Sequence, residues 1–170
     1  MCRSHKESIQ LAGEKMDKKE NRYFPIFVNL KGRKIVFIGG GHISERRINT
    51  LLDFGADILV YSLEITEDIK KLSDTKQLIY EKKEYEKGLV KDAYFVVAAT
   101  DNEDLNREIY QECKEKNIMV NVISDKKLCD FYFPGIVNVD DITVGVCGSG
   151  NDHKKLKNFI NRLRDKLKEN

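Results

Sequence analysis

Lys34-Ile35-Val36-Phe37-Ile38-Gly39-Gly40-Gly41-His42-Ile43-Ser44 runs from an unbroken apolar stretch straight into three glycines. An apolar run without polar alternation predicts a strand buried on both faces, as in a parallel sheet. Behind the glycines, Ile43, Arg47/Ile48, Leu51, Leu52 and Phe54 recur at three-to-four spacing, which predicts a helix over 42–54 that Gly55 stops with a left-handed cap. Read as G-x-G-x-x-G/A, the turn supplies Gly39 and Gly41, with Ser44 in the place of the third small residue. Such a turn needs glycine at the bend, then glycine where backbone nears a diphosphate, then a small residue where helix meets strand. The amides of the helix N-terminus would face the phosphates. The alternative is a glycine-rich turn with no ligand.

The chain outward from this turn keeps alternating. Ile58–Tyr61 reads as a second strand, 64–73 as a short helix, 77–80 as a third strand and 94–99 as a fourth. Thr100 and Glu103 have capping-box spacing for a helix over about 102–116. Asn117 fits as its cap, and Ile118–Ile123 is a fifth strand. This alternation implies an α/β fold with a doubly wound parallel sheet. After residue 125 the pattern changes. Phe131–Val139 and Ile142–Val146 read as an antiparallel hairpin turning at Asp140-Asp141. Residues 152–168 read as a final amphipathic helix with Leu156, Phe159, Ile160, Leu163 and Leu167 on one stripe. Three regions follow: a polar leader 1–22, an α/β domain 23–127, and the hairpin with its basic helix, 128–170. Hairpin and helix are too little for a core of their own, so a second subunit is expected to cover them. Met16 is an alternative start to Met1.

Composition narrows the class. The chain has 170 residues, 30 Lys+Arg, 28 Asp+Glu, 2 Pro and 11 Gly, which excludes a low-complexity or disordered protein. No apolar run is long enough to span a membrane, and no secretory signal opens the chain. Cys2, Cys113, Cys129 and Cys147 are scattered without a CxxC pair, which points to the cytoplasm and to no metal site evident in the sequence. The net charge of +2 is segregated: 1–22 carries +2, 23–150 carries −4 and 151–170 carries +4. No aromatic-studded basic strand accompanies the basic tail, so nucleic acid is not the expected partner. A polyanionic small molecule suits it.

The stretch Asp57–Ile69 holds Asp57, Glu64, Glu67 and Asp68 and no Lys or Arg. A 2′-phosphate would be repelled there, so NAD is favoured over NADP. Glu64 lies later than the usual ribose-binding acid, and Ser62 could share that task.

Phe24-Pro25-Ile26-Phe27, Gly39-Gly40-Gly41 with Glu45-Arg46-Arg47, Ala98-Ala99-Thr100-Asp101 with Asn106, Asn121-Val122 and Asp130-Phe131-Tyr132-Phe133-Pro134 stand in order along the chain. This ordered set resembles the siroheme synthase N-terminal family: precorrin-2 dehydrogenases, some also sirohydrochlorin ferrochelatases. The resemblance covers about Tyr23 to Gly150. It implies a Rossmann-type NAD-binding domain, a dimerisation hairpin, and oxidation of precorrin-2 to sirohydrochlorin. It places nucleotide contacts on His42 and Ile43 after the glycines and on Leu63 and Glu64 after strand two, with Thr100 on the nicotinamide side.

Two positions depart from the family pattern. The family's carboxylate lies three residues after the Asn of Asn-Val; here that place is Ser124, followed by Asp125. Asp125 is the candidate acid–base group and Ser124 the aligned alternative; a solvated turn is the bland reading of Asp125. The loop Cys147-Gly148-Ser149-Gly150-Asn151-Asp152-His153 keeps the family's small residues but not its Ser-Pro. His42 is read as a phosphate or ribose neighbour rather than a metal ligand, and His153 as a helix-flanking residue. The alternative function is a nucleotide- or tetrapyrrole-binding or delivery protein without turnover.

Overall fold

The computed structural model describes residues 23–148 and 152–168. The leader 1–22, with Cys2 and Met16, and Ser149-Gly150-Asn151 lie outside the described residues. Five parallel strands alternate with helices: β1 Lys34–Gly40, α1 His42–Leu52, β2 Asp57–Ile65, α2 Glu67–Asp74, β3 Ile79–Lys82, β4 Phe95–Ala98, α3 Glu103–Glu115 and β5 Met119–Val122. The sheet order is β3-β2-β1-β4-β5, so the chain reverses its winding direction between β1 and β4. β1 sits at the centre because its side chains feed both layers. Ile35 and Phe37 join Ile48 and Leu51 of α1 and Ile69 of α2 on one face. Val36 and Ile38 join Ile109 and Cys113 of α3 on the other. The doubly wound sheet expected from the sequence is the observed one.

Several boundaries moved, each for a local reason. β2 runs to Ile65 rather than stopping at Tyr61, because Gly40 pairs with Ile65 across a register shift. α2 therefore begins at Glu67, where the Thr66 side chain accepts from the Ile69 amide at 3.3 Å, and not at residue 64. β3 starts two residues late because Gln77 still donates to the Leu72 carbonyl (2.9 Å) behind a left-handed Lys76. The Thr100–Glu103 capping box does not form. Asn102 caps α3 instead, its Oδ1 accepting from the Asp104 and Leu105 amides, while the Thr100 hydroxyl turns to Asn106. Gly55 and Asn117 do take left-handed conformations, with φ of +70° and +55°.

The hairpin, β6 Gly135–Val139 and β7 Ile142–Val146, begins four residues later than the sequence suggests. Pro134 has no amide to offer a ladder, and the segment before it serves another purpose. The Asp130 carboxylate and amide bind both backbone groups of Val120, at 2.9 Å each. The Cys129 thiol does the same at Val122. Together they cover the open edge of β5. The final helix, α4 His153–Lys168, packs on β6, with Ile160 close against Gly135 and Leu156 near Gly148. Part of its stripe is thus covered within the chain, whereas Phe159 and Ile142 stay exposed. Tyr23–Val28 forms no strand. Tyr23 stacks on Tyr132 with centroids 4.1 Å apart, and Phe24, Ile26 and Phe27 are solvent-exposed. Among the described residues no helix is long and apolar enough to cross a membrane.

Burial raises the Cys113 thiol to about 12, and a hydrogen bond donated to Tyr23, followed by burial, raises the Tyr132 phenol to about 12. Both groups favour the folded state while protonated. Their contribution is complete below the unfolded values of 9.0 and 10.0 and is lost as pH rises through the folded ones. Urea unfolding between pH 8 and 12 should therefore show falling stability from about pH 9, with Cys113 accounting for on the order of 3 kcal/mol by pH 12. Cys113→Ala should flatten that fall.

Candidate nucleotide-binding cleft

A cleft of about 1110 Å³ opens at the carboxyl ends of β1, β2 and β4, where open α/β sheets bind ligands. Gly39, Gly40, Gly41 and His42 form its floor, Ser62, Leu63 and Glu64 one wall, and Ala99, Thr100 and Asp101 the other. The floor is shaped by three different demands. At Gly39, φ is +104° and a Cβ would stand 2.2 Å from the Ala99 carbonyl oxygen. At Gly40 it would meet Ile65 Cγ2 at 2.5 Å. At Gly41 it would meet nothing within 4 Å. The fold thus needs the first two glycines, while the third leaves open space in front of α1.

That space faces uncapped amides. Thr66 caps α2 and Asn102 caps α3, but no side chain caps α1. The first turn of α1 keeps its donors and its positive end of the helix dipole for an anion. Ser44, fully buried, spends its hydroxyl on the Gly39 carbonyl at 2.7 Å and fits the third motif position. The residues present therefore fit a dinucleotide whose diphosphate rests on Gly41, His42 and the following amides.

Ser62 lines the cleft and also holds its wall together. Its Oγ accepts from the Gly40 amide at 3.0 Å and donates to the Glu64 carbonyl at 2.6 Å, which locks the register shift and turns Leu63 and Glu64 to the cleft. Thr100 belongs to a small network: its amide and hydroxyl donate to Asn106 Oδ1 at 3.1 and 2.8 Å. Asn106 is fully buried, and its Nδ2 donates to the Thr100 carbonyl at 2.9 Å and to Ser124 Oγ at 3.3 Å. Ser124 and Asp125 follow β5 and are not among the cleft-lining residues. Asp125 caps the short turn Lys126–Leu128, accepting from the Lys127 amide at 2.9 Å. Ile43 stands on the first turn of α1 with its side chain exposed, also outside the lining. His42 lies 3.7 Å from Glu45. No cluster of three or more His, Cys, Asp or Glu residues able to hold a metal occurs among the described residues.

Sequence reasoning missed several cleft residues. Asp101 could have been found, since it follows Thr100 directly. Lys83, Glu84 and Tyr85 could not, because only the pairing of β3 with β2 brings them to the opening. Arg47, to which the sequence reading gave no role of its own, stands on α1 outside the cleft lining. Its Nη1 donates to Asn121 Oδ1 at 2.6 Å and its guanidinium lies 4.5 Å over the Phe133 ring. Burial pushes it down to about 10.

Residues 26–135 match a family model described as "Putative NAD(P)-binding". The chain is 36% identical over 143 residues to the precorrin-2 dehydrogenase of Bacillus subtilis (strain 168), covering 84% of this chain and 87% of that one. It is 34% identical over 142 residues to a probable multifunctional siroheme biosynthesis protein, HemA, of Ruminiclostridium josui, covering 83% of this chain. It is 40% identical over 129 residues to a siroheme synthase of Psychrobacter cryohalolentis (strain ATCC BAA-1226 / DSM 17306 / VKM B-2378 / K5), covering 75% of this chain. It spans only 28% and 24% of those two longer proteins. A solved precorrin-2 dehydrogenase, SirC, superposes with a TM-score of 0.74 at 23% identity, over 85% of this chain and 71% of that one, and so shares the fold. The chain belongs to the NAD(P)-binding family that precorrin-2 dehydrogenases and siroheme synthases share.

Proposed function

We propose that the chain oxidises precorrin-2 to sirohydrochlorin with NAD, as one step in making siroheme. The observation that carries this is the similarity to the Bacillus precorrin-2 dehydrogenase over nearly the whole of both chains, joined to a cleft whose open Gly41 and uncapped α1 suit a diphosphate. Gly41, His42 and the first amides of α1 would hold NAD, which would supply a hydride acceptor for the macrocycle. The chain's own part is to hold, neutralise and relieve the substrate of the accompanying proton. Asp125 is the candidate acceptor of that proton, with Ser124 as the alternative, since both follow the carboxyl end of β5 and Ser124 is tied through Asn106 to Thr100. On α4, Lys154, Lys155, Lys157, Arg162, Arg164 and Lys166 are exposed and provide a cationic surface for a substrate ringed by carboxylates. A homodimer would cover the exposed Phe159 and Ile142. The scattered free thiols suit the cytoplasm.

An anaerobic absorbance assay with enzymatically made precorrin-2 tests this. Sirohydrochlorin should form with NAD and much more slowly with NADP. Asp125→Asn should lower kcat by about 10²-fold or more, as lost acid–base help does. Full activity in both Asp125→Asn and Ser124→Ala would remove the two from the mechanism. The second reading, a tetrapyrrole-binding or delivery protein, draws on Ser124 in the carboxylate's place and on Asp125 being engaged as a cap. NAD binding without product would favour it.

A further inference from the structure

We propose that the Lys83–Glu86 ion pair sets the cleft's preference between NAD and NADP; this rests on the nucleotide reading above. Pairing of Ser62 with Lys82 brings Lys83 level with Leu63 and Glu64, at the end of β2 where the adenosine ribose of a dinucleotide would lie. Among the described residues, Lys83 is the only lysine or arginine lining the cleft, against the carboxylates of Glu45, Glu64, Glu67, Asp68, Glu84 and Asp101. It is close enough to Tyr61 to act against the rise that burial gives that phenol.

The ammonium is engaged elsewhere. Lys83 Nζ lies 3.0 Å from Glu86 Oε2, and Glu86 is exposed and does not line the cleft. Glu86 therefore draws that cation aside and offsets its charge. A 2′-phosphate, with its roughly two extra negative charges, then meets an acidic rim. Lys83 is thus a latent phosphate ligand, and the specificity of the cleft depends on a carboxylate that never touches the nucleotide.

Glu86→Gln keeps the size of the side chain and frees Lys83. Calorimetry with NAD and NADP, at low and high salt, reads the result without any turnover. In Glu86→Gln, NAD affinity should stay within about twofold of wild type while NADP affinity rises about fivefold, the size of one exposed ion pair. The gain should shrink at high salt. Lys83→Gln/Glu86→Gln should lose the gain entirely. An NADP-to-NAD ratio in Glu86→Gln within about twofold of wild type overturns the proposal, as does a gain that persists in the double variant. Intact NAD binding in those cases leaves the nucleotide reading standing. Absence of NAD binding in the wild type would overturn both.

Discussion

Gly39→Ala should unfold or severely weaken the domain, while Gly41→Ala, two residues away, should leave it as stable as wild type and bind NAD poorly. At position 39 a methyl would stand 2.2 Å from the Ala99 carbonyl oxygen, and φ of +104° suits no L-residue. The obstacle cannot step aside, because the Ala99 amide is itself held by the Ile38 carbonyl at 2.8 Å in the centre of the sheet. Strain and clash together should cost about 3–5 kcal/mol, which is roughly 8–16 °C in Tm for a chain of this size. At position 41, φ is −78° and no atom lies within 4 Å, so alanine is conformationally ordinary. Its methyl would occupy the space in front of the uncapped first turn of α1. Tm should move by no more than about 2 °C, and NAD affinity should fall by about tenfold or more, some 1.4 kcal/mol. Thermal melts and calorimetry on the two variants check the contrast. Equal loss of stability in both would mean that the glycines serve only the turn.

Glu112→Ala should have the second large effect, on the opposite side of the cleft. Glu112 is 4% exposed, yet its carboxylate holds three groups. Oε2 accepts from the Tyr85 hydroxyl, Oε1 accepts from the Gly88 amide at 2.9 Å, and Lys116 Nζ lies 3.8 Å from Oε1. Through them α3 pins the segment from Lys83 to Gly88, which supplies the cleft with Lys83, Glu84 and Tyr85. Alanine would leave a part-buried phenol and the Gly88 amide without these partners, a loss of about 2 kcal/mol. NAD affinity should drop with it, because the wall would loosen. Burial first, and then the Glu112 hydrogen bond, hold the Tyr85 phenol well above the usual tyrosine range. Ultraviolet titration of Glu112→Ala should accordingly show one tyrosine returning toward it. Glu112→Gln keeps an acceptor in place and should lose less. A variant with wild-type stability and an unmoved titration would show that this network holds nothing.

How much of this was legible in the sequence differs from element to element. Ile35–Ile38 had to be a central strand because none of its side chains suits water, and the two core layers on either side of β1 confirm that reading. Gly39 and Gly41 marked the turn at the cleft floor because a strand that runs directly into a helix leaves little choice of residue there. Leu63 and Glu64 line the cleft wall, although the helix expected to start at residue 64 begins three residues further on. Local pattern determines strand and helix identity, since side-chain periodicity is a property of the segment itself.

Tertiary structure alone decided the rest. Which glycine serves the fold and which serves a ligand depends on what a Cβ would meet, and that is Ala99 and Ile65, far off in the chain. Lys83 enters the cleft only because β3 pairs with β2, and its charge is engaged because Glu86, three residues on, lies 3.0 Å away. Glu112, an unremarkable acid in a polar helix, is buried because Tyr85 and Gly88 fold over it. Cys129 and Asp130 cover an edge strand that no periodicity could reveal. The common reason is physical: periodicity reports which way a side chain faces within its own element, whereas contacts, electrostatic partners and steric demands are set by segments that meet only after the sheet has closed.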